Sequence, residues 1–295
     1  MPTVVGLDIG GSGARGRLVV DGSVAAEASA GSASPAAAGL DGAEANLRSL
    51  LGSLRRAHPG AIDAVCAGAA GSGAAPTRAW LTRRLADLTG ATRVSVVDDG
   101  ELVLPAAGYA MGIAIVCGTG SIVHGRGPGG SARAGGWGWL LGDEGGGYAL
   151  VRGALRTLLA RRDAGEPAGP LGDALIGEET LDRLLADFYA DPRPERWAAH
   201  APAVLACGDG AVAELVGAGA RTVVAAAAPL ARRVGLERAP VVLAGGLTPQ
   251  STVRAALESA LAAALPEWPI ELLREPPVAG AVALALQTAG DSRLQ

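Results

Sequence analysis

The 295-residue chain contains no lysine; all 25 of its basic residues are arginine. That absence excludes a Walker A phosphate loop, a protein-kinase strand lysine and a Schiff-base lysine. The abundance of Ala, Gly and Arg reads as a nucleotide-composition bias, so the arginine preference itself carries no functional weight. Cysteine is scarce: Cys66, Cys117 and Cys207 lie far apart in apolar surroundings. They read as buried thiols, with no disulfide framework and no paired zinc motif. Of the three histidines, His58 and His200 read as surface or cap residues and His124 as the end of a strand. No His-rich metal site results. Aromatics amount to 3% and the net charge is −4, with no basic run, which disfavours nucleic-acid binding. No apolar run reaches the roughly 18 residues of a membrane helix. Met1-Pro2 leads straight into a strand rather than a signal peptide, so a cytoplasmic protein without a membrane partner is expected.

Apolar residues make up 49% of the chain and charged residues 18%, the balance of a globular chain of one large or two medium domains. One stretch organises it: Val4-Val5-Gly6-Leu7-Asp8-Ile9-Gly10-Gly11-Ser12-Gly13-Ala14-Arg15-Gly16-Arg17-Leu18-Val19-Val20. It reads as an apolar strand, a glycine turn carrying Ser12, and an immediate return strand. Glycine lets a backbone approach a phosphate closely, and Asp8 is placed where a carboxylate meets a metal ion held by that phosphate. Gly11, Gly13 and Gly16 also spell the dinucleotide fingerprint, which needs a helix straight after the loop. Here the loop feeds a β-rich segment and the hairpin signal Asp21-Gly22, so the Rossmann reading is rejected. A glycine-rich hairpin that binds nothing remains the plain alternative.

Strands are expected at 3–9, 14–20 and 23–29, then a small polar loop from Ser29 to Gly39. The spacing of Leu47, Leu50, Leu51 and Leu54 predicts a helix over 43–57. A strand from Ile62 to Ala67 ends in the turn Gly68-Ala69-Ala70-Gly71-Ser72-Gly73. A helix over 76–89 leads to the strand Arg93–Val97, which terminates at Asp98-Asp99-Gly100-Glu101 before a short helix to Gly108. The pattern then restarts. Ile113–Cys117 is a strand, Gly118-Thr119-Gly120-Ser121 a tight turn and Ile122–His124 the return strand. Gly127 to Gly135 reads as a flexible loop. Gly136-Trp137-Gly138-Trp139-Leu140-Leu141-Gly142-Asp143-Glu144-Gly145 opens a helix to about Arg162. Helices follow over 178–189, 195–207 and 211–236. The strand Val241–Ala244 and the turn Gly245-Gly246-Leu247-Thr248 precede a helix over 250–264, a strand over 269–273 and a terminal helix over 277–288.

The chain therefore reads as two α/β halves, each begun by a glycine-turn hairpin: a structural duplication with its boundary near 108–112. An N-terminal lobe over 1–109 and a C-terminal lobe over 110–295 are expected, with the last helix packing back on the N-terminal lobe. Duplicated α/β lobes place ligands in the cleft between them, at the strand carboxyl ends. Two hairpin turns, with Ser12, Thr119 and Ser121, supply polyphosphate donors without lysine. The third turn, at Gly245 and Gly246, gives a flat ledge for a nucleoside.

These motifs resemble the actin/hexokinase/Hsp70 ATPase superfamily, which implies ribonuclease H-like (actin-like ATPase) lobes with an interlobe cleft. Gly6-Leu7-Asp8-Ile9-Gly10-Gly11-Ser12 matches its phosphate-one motif, Cys117-Gly118-Thr119-Gly120-Ser121 its phosphate-two motif and Leu243 to Thr248 its adenosine motif. Within it, Gly135-Gly136-Trp137-Gly138 followed by Leu141-Gly142-Asp143-Glu144-Gly145 is similar to the N-acetylglucosamine kinases of the BadF/BadG/BcrA/BcrD ATPase-like group. The resemblance covers nearly the whole chain and implies ATP and Mg²⁺ as cofactors. The substrate implied is an amino sugar, N-acetylglucosamine first and glucosamine as the alternative. It also implies a homodimer, which is common among relatives. Activator ATPases of the same group hold an iron–sulfur cluster on interface cysteines, which three isolated cysteines fit badly.

The resemblance assigns roles. Asp99 occupies the catalytic-base position facing the sugar, with Asp98 as its rival in register; simple helix N-capping is the plain reading of the pair. Asp8 positions Mg²⁺. Gly10, Gly11, Ser12, Gly118, Thr119, Gly120, Ser121, Gly245, Gly246 and Thr248 hold the nucleotide. Ser34, Ala70, Gly71, Gly136, Trp137 and Asp143 line the sugar. Asp143 also suits an acidic helix start, and Trp137 a buried packing role. Relatives carry a sugar-contacting Asn in the loop after the third strand. Here that loop is Gly31-Ser32-Ala33-Ser34-Pro35, and Ser34 takes the place with shorter reach.

Overall fold

Six residues form β1 (Val4–Ile9), and the glycine turn after them returns the chain at once as β2 (Ala14–Val20). Strand β3 (Ser23–Ala30) pairs antiparallel with β2, while β4 (Ala64–Ala69) and β5 (Arg93–Val97) add in parallel on the other side of β1. The resulting order is β3-β2-β1-β4-β5. Helices α1 (Pro35–Ala57) and α2 (Ala75–Thr89) cover one face. Their Leu47, Leu50, Leu54, Leu81 and Leu85 pack with Val5, Leu7 and Ile9 of β1. After β5 the chain makes a 3-10 turn over Asp99–Leu102 and the short α3 (Val103–Ala106). The polar loop after β3 is shorter than the composition implies. Ser34 is followed by Pro35 at the first helical position, and the Ser34 carbonyl accepts from Ala37 and Ala38. A helical turn therefore forms before the break at Gly39 (φ 69°); proline fixes the φ this turn needs.

The second half repeats the plan. Strands β6 (Gly112–Cys117), β7 (Ser121–Gly127) and β8 (Gly130–Gly135) form an antiparallel run. Strands β9 (Val241–Ala244) and β10 (Ile270–Leu272) add in parallel, giving the order β10-β9-β6-β7-β8. Between β8 and β9 lie α4 (Gly147–Ala164), α5 (Gly169–Leu175), α6 (Leu181–Ala190), α7 (Pro194–Ala198), α8 (Ala201–Ala206), α9 (Gly210–Ala225) and α10 (Ala227–Arg233). Helix α11 (Ser251–Ala264) connects β9 to β10. The stretch Gly210–Arg233 is long and apolar enough to span a membrane. Its Val212, Val216, Ala220 and Val223 are buried with Leu257 and Leu261 of α11, so one face of it packs into the core. Three expectations are corrected here. The segment 127–135 is largely strand β8, not a flexible loop; His124 is buried in the middle of β7 rather than at its end; Cys207 is half-buried, unlike the buried Cys66 and Cys117.

The structure describes residues 1–290, in two compact units: Met1–Ala110 with the segment from Leu273 onward, and Met111–Leu272. Helix α12 (Val278–Gly290) thus belongs to the first unit, where Val282 and Ala285 pack with Val4, Val19 and Cys66 on the sheet face opposite α1. The approach is close because Gly280 has no side chain. A Cβ there would run into the Leu102 carbonyl oxygen and lie 2.9 Å from the Ala106 nitrogen. Helix α12 is in this way pressed against the turn that carries Asp99.

Candidate active site

In the first unit three parallel strands end level with one another. Asp8 is in register with Gly68, and Gly68 with Val97. The residues just past β5, Asp98 and Asp99, therefore come beside Asp8 and the turn after β1. The Gly10 N–H donates to the Gly13 carbonyl (2.9 Å), closing that turn and leaving Gly11 and Ser12 exposed at its tip. The paired aspartates differ in their surroundings. Ser72 Oγ lies 2.9 Å from both Asp98 Oδ1 and the Val97 carbonyl oxygen, and Glu101 Oε1 accepts from the Asp98 N–H (3.2 Å). Asp98 is thus the N-cap of the 3-10 turn. Asp99 Oδ1 accepts from the adjacent Gly100 N–H (3.0 Å).

The half-buried Asp8 carboxyl is pushed up to about 6, first by burial and then by the negative charge of Asp99, against the opposing pull of Arg15. Two carboxylates that raise each other's cost of ionisation favour a cation between them. Among the described residues no group of three or more His, Cys, Asp or Glu side chains could hold a metal ion. Asp8 is a carboxylate of the kind that suits Mg²⁺, which takes one or two protein carboxylates and fills its shell with water and phosphate oxygens.

Ser34, Ala70 and Gly71 also meet in this unit, in an arrangement unlike the one anticipated. Ser34 is 1% exposed, and its hydroxyl donates to the Ala70 carbonyl (2.9 Å). It braces the Ala70-Gly71 turn from beneath. Ser32 Oγ donates to the Gly10 carbonyl (2.8 Å) and accepts from the Ser34 N–H (3.2 Å), while Asn46 Nδ2 donates to the Ser32 carbonyl (2.8 Å). This small network ties the loop after β3 to the glycine turn after β1. Ser32, Asn46 and Ser72 were not singled out from the sequence; their only signal there is a short polar side chain among small residues.

In the second unit Gly118-Thr119-Gly120-Ser121 forms the matching turn, closed by the Gly118 N–H donating to the Gly120 carbonyl (2.9 Å). Gly147 and Tyr148, at the start of α4, donate to the carbonyls of Gly118 (2.8 Å) and Thr119 (3.1 Å). Thr119 is exposed, whereas Ser121 is buried and accepts from the Gly145 N–H (3.2 Å). Asp143 lies over this turn with φ 67°, and a Cβ on Gly120 would collide with its carboxylate. Its carboxyl is pushed up by burial, against backbone N–H donation from Gly138 and Ser121, and its Oδ1 is buried without a hydrogen-bond partner. Trp137 is 65% exposed rather than buried, with the Arg133 guanidinium 5.3 Å from its ring centre. Gly136 (φ 64°) turns the chain out into this loop. Gly245 (φ 100°) lies against the Cys117 backbone; it and Gly246 are exposed. Thr248 is buried and its hydroxyl donates to the Gly245 carbonyl (3.0 Å).

Residues 5–286 match the model of the BadF/BadG/BcrA/BcrD ATPase family. An N-acetylmuramic acid/N-acetylglucosamine kinase of Clostridium acetobutylicum is 38% identical over 117 residues, 38% of this chain and 38% of that protein. An N-acetyl-D-glucosamine kinase of Dictyostelium discoideum is 33% identical over 125 residues, 41% of this chain and 38% of that protein. The matches thus span well under half of either relative. Over nearly full length, the fold is similar to a Chromobacterium violaceum structure assigned provisionally as an N-acetylglucosamine kinase. The TM-score is 0.76 at 26% identity, covering 97% of this chain and 99% of that one.

Proposed function

The chain belongs to the BadF/BadG/BcrA/BcrD ATPase family, and from that premise we propose that it is an ATP-dependent kinase transferring the γ-phosphoryl group to the 6-hydroxyl of N-acetylglucosamine. The observation that carries this reading is the meeting of Asp8 and Asp99 at the strand ends of the first unit, beside the exposed Gly11-Ser12 tip. A carboxylate beside an acceptor hydroxyl serves as base, and one beside the phosphate turn serves a metal.

In this reading the Asp99 carboxylate takes the proton of the sugar hydroxyl. The sugar oxygen bonds to the γ-phosphorus as the bond to the bridging oxygen breaks and ADP leaves. Mg²⁺ next to Asp8 would offset phosphate charge and orient the leaving group. Asp98, engaged by Ser72 and Glu101, holds the turn. The exposed Gly11 and Ser12, on the turn that Gly10 closes, serve the polyphosphate with their backbone N–H groups in the first unit, and Thr119 and Gly120, on the turn framed by Gly118 and Ser121, do so in the second. The ledge at Gly245 and Gly246 serves the nucleoside, with Thr248 beneath it. Asp143, Gly136 and Trp137 serve the sugar; Ala70 and Gly71 do so in the first unit, with Ser34 in support. The site of action in this reading is the cytoplasm.

The test is ADP release with Mg-ATP against N-acetylglucosamine, glucosamine, N-acetylmannosamine, N-acetylmuramic acid and glucose. N-acetylglucosamine is expected to stand out in kcat/KM by at least about tenfold, the span one substituent commands in a shaped pocket. Glucosamine leading instead would keep the chemistry and change the substrate. Silence with every sugar, while ATP still binds, would move an activator ATPase to the front.

The pH dependence follows from Asp8. Its pKa lies above the ordinary 3.8 at about 6. The protonated group therefore favours the fold at low pH, and that contribution is lost as pH rises through about 6. The ionised form is the one that serves Mg²⁺. Mg-ADP affinity, measured by calorimetry, is accordingly expected to fall as pH drops through about 6. The midpoint should move lower in Asp99→Asn, where the repelling charge is gone. Affinity that stays flat across that range would remove Asp8 from the metal site.

A further inference from the structure

Without lysine anywhere in the chain, polyphosphate charge at the first glycine turn must meet arginine, metal or backbone N–H. We propose that Arg15 is the cation of this site, its guanidinium binding the terminal phosphate oxygens of the nucleotide. The proposal rests on the reading above only in that a nucleoside triphosphate occupies the Gly10–Ser12 turn.

Arg15 lies on β2 directly opposite Asp8 of β1. Directly opposed residues on antiparallel strands share a sheet face, with Cβ atoms about 4.5–5.5 Å apart. Side chains alternate along a strand, so Arg15, Arg17 and Val19 share that face. It is the face on which Val19 packs with Val282 of α12, and α12 in turn holds the Asp99–Leu102 turn. Arg15 is therefore the first side chain past the glycine turn to project on the side of Asp8 and Asp99.

Its state differs from that of its neighbour. Arg17 is spent on Glu27, with Nε 2.6 Å from Oε1. Arg15 is exposed and makes no ion pair within 4.0 Å among the described residues, although Asp8 stands opposite. With Asp8 opposite but not bound to it, Arg15 is an open charge on the strand that begins just past the exposed Gly11 and Ser12. A further cation suits the charge balance of the site. Asp8, Asp99 and a triphosphate are all anionic, and a single divalent ion leaves them in excess. Guanidinium also matches phosphate bidentately.

The test compares wild type with Arg15→Ala, Arg15→Lys and, as a control, Arg17→Ala. Equilibrium binding of ATP and of ADP at fixed Mg²⁺ is one readout, and sugar-dependent turnover the other. Arg15→Ala is expected to abolish most of the preference for ATP over ADP and to lower kcat about 100-fold, the scale of one lost transition-state donor. Added guanidinium ion should restore part of the turnover, and Arg15→Lys should retain more than Arg15→Ala. Arg17→Ala should bind both nucleotides as wild type does. Unchanged ATP and ADP binding in Arg15→Ala would overturn the proposal. So would equal weakening of both with a lowered thermal midpoint, which is the mark of a merely structural arginine. If wild type phosphorylates no sugar, the kinase reading fails, yet the ATP and ADP binding comparison still decides the role of Arg15.

Discussion

Asp99→Asn is expected to lower kcat about 1,000-fold while ATP binding stays within about twofold, because a positioned general base contributes roughly 10²–10⁴ to rate and little to nucleotide affinity. The amide is nearly isosteric, so the 3-10 turn and its Gly100 N–H contact with Oδ1 survive. Asp98→Asn is the informative partner. Its amide oxygen can still accept from Ser72 Oγ, as Asp98 Oδ1 does at 2.9 Å, and asparagine caps as well as aspartate. Turnover in Asp98→Asn is therefore expected within a few-fold of wild type. Steady-state kinetics on the two variants discriminate cleanly. The reverse pattern, with Asp98→Asn dead and Asp99→Asn active, would exchange the two assignments.

The second large effect is on stability. Gly280→Ala introduces a helix-favouring residue in α12, and propensity alone would make it stabilising by about 1 kcal/mol. Packing opposes this more strongly. The new methyl would meet the Leu102 carbonyl, with the Ala106 nitrogen 2.9 Å away. These are backbone atoms that cannot rotate aside, so the cost lies at the upper end of overpacking, about 3 kcal/mol. A net loss of about 2 kcal/mol is expected, read as a lower urea midpoint at unchanged slope. Turnover should fall with it, because Leu102 closes the turn that begins at Asp99. A variant as stable as wild type would show that α12 moves away from the turn at little cost.

What the sequence disclosed, and what it hid, follows the range of the forces involved. The two glycine-turn hairpins, the strand Arg93–Val97 and the aspartates after it were legible, because apolar runs and glycine turns act over a few residues. Strand β8 was not. Its Ser131-Ala132-Arg133-Ala134 core alternates too weakly to signal a strand, and pairing with β7 supplies the order. The short α5 was missed for a related reason: Gly169-Pro170 reads as a loop until Leu171 finds its place in the core. The site divides in the same way. Asp8, Ser12 and Asp99 stand in recognisable local patterns. The bond from Ser72 to Asp98 spans 26 positions and that from Ser32 to Gly10 spans 22, so no local pattern contains either. Ser34 shows the cost of this. Sequence offered it as a sugar contact, while the structure buries it under Ala70.

The return of α12 to the first unit has a consequence for synthesis. Asp8, Ser12 and Asp99 are all made before the second unit begins, and that unit, Met111–Leu272, is complete before α12 is translated. On the ribosome, Val4, Val19 and Cys66 therefore wait, with one sheet face uncovered, for Val282 and Ala285. The half that is begun first is finished last. A nascent chain stalled before residue 278 would carry every aspartate of the first unit's site without the helix that seats Asp99.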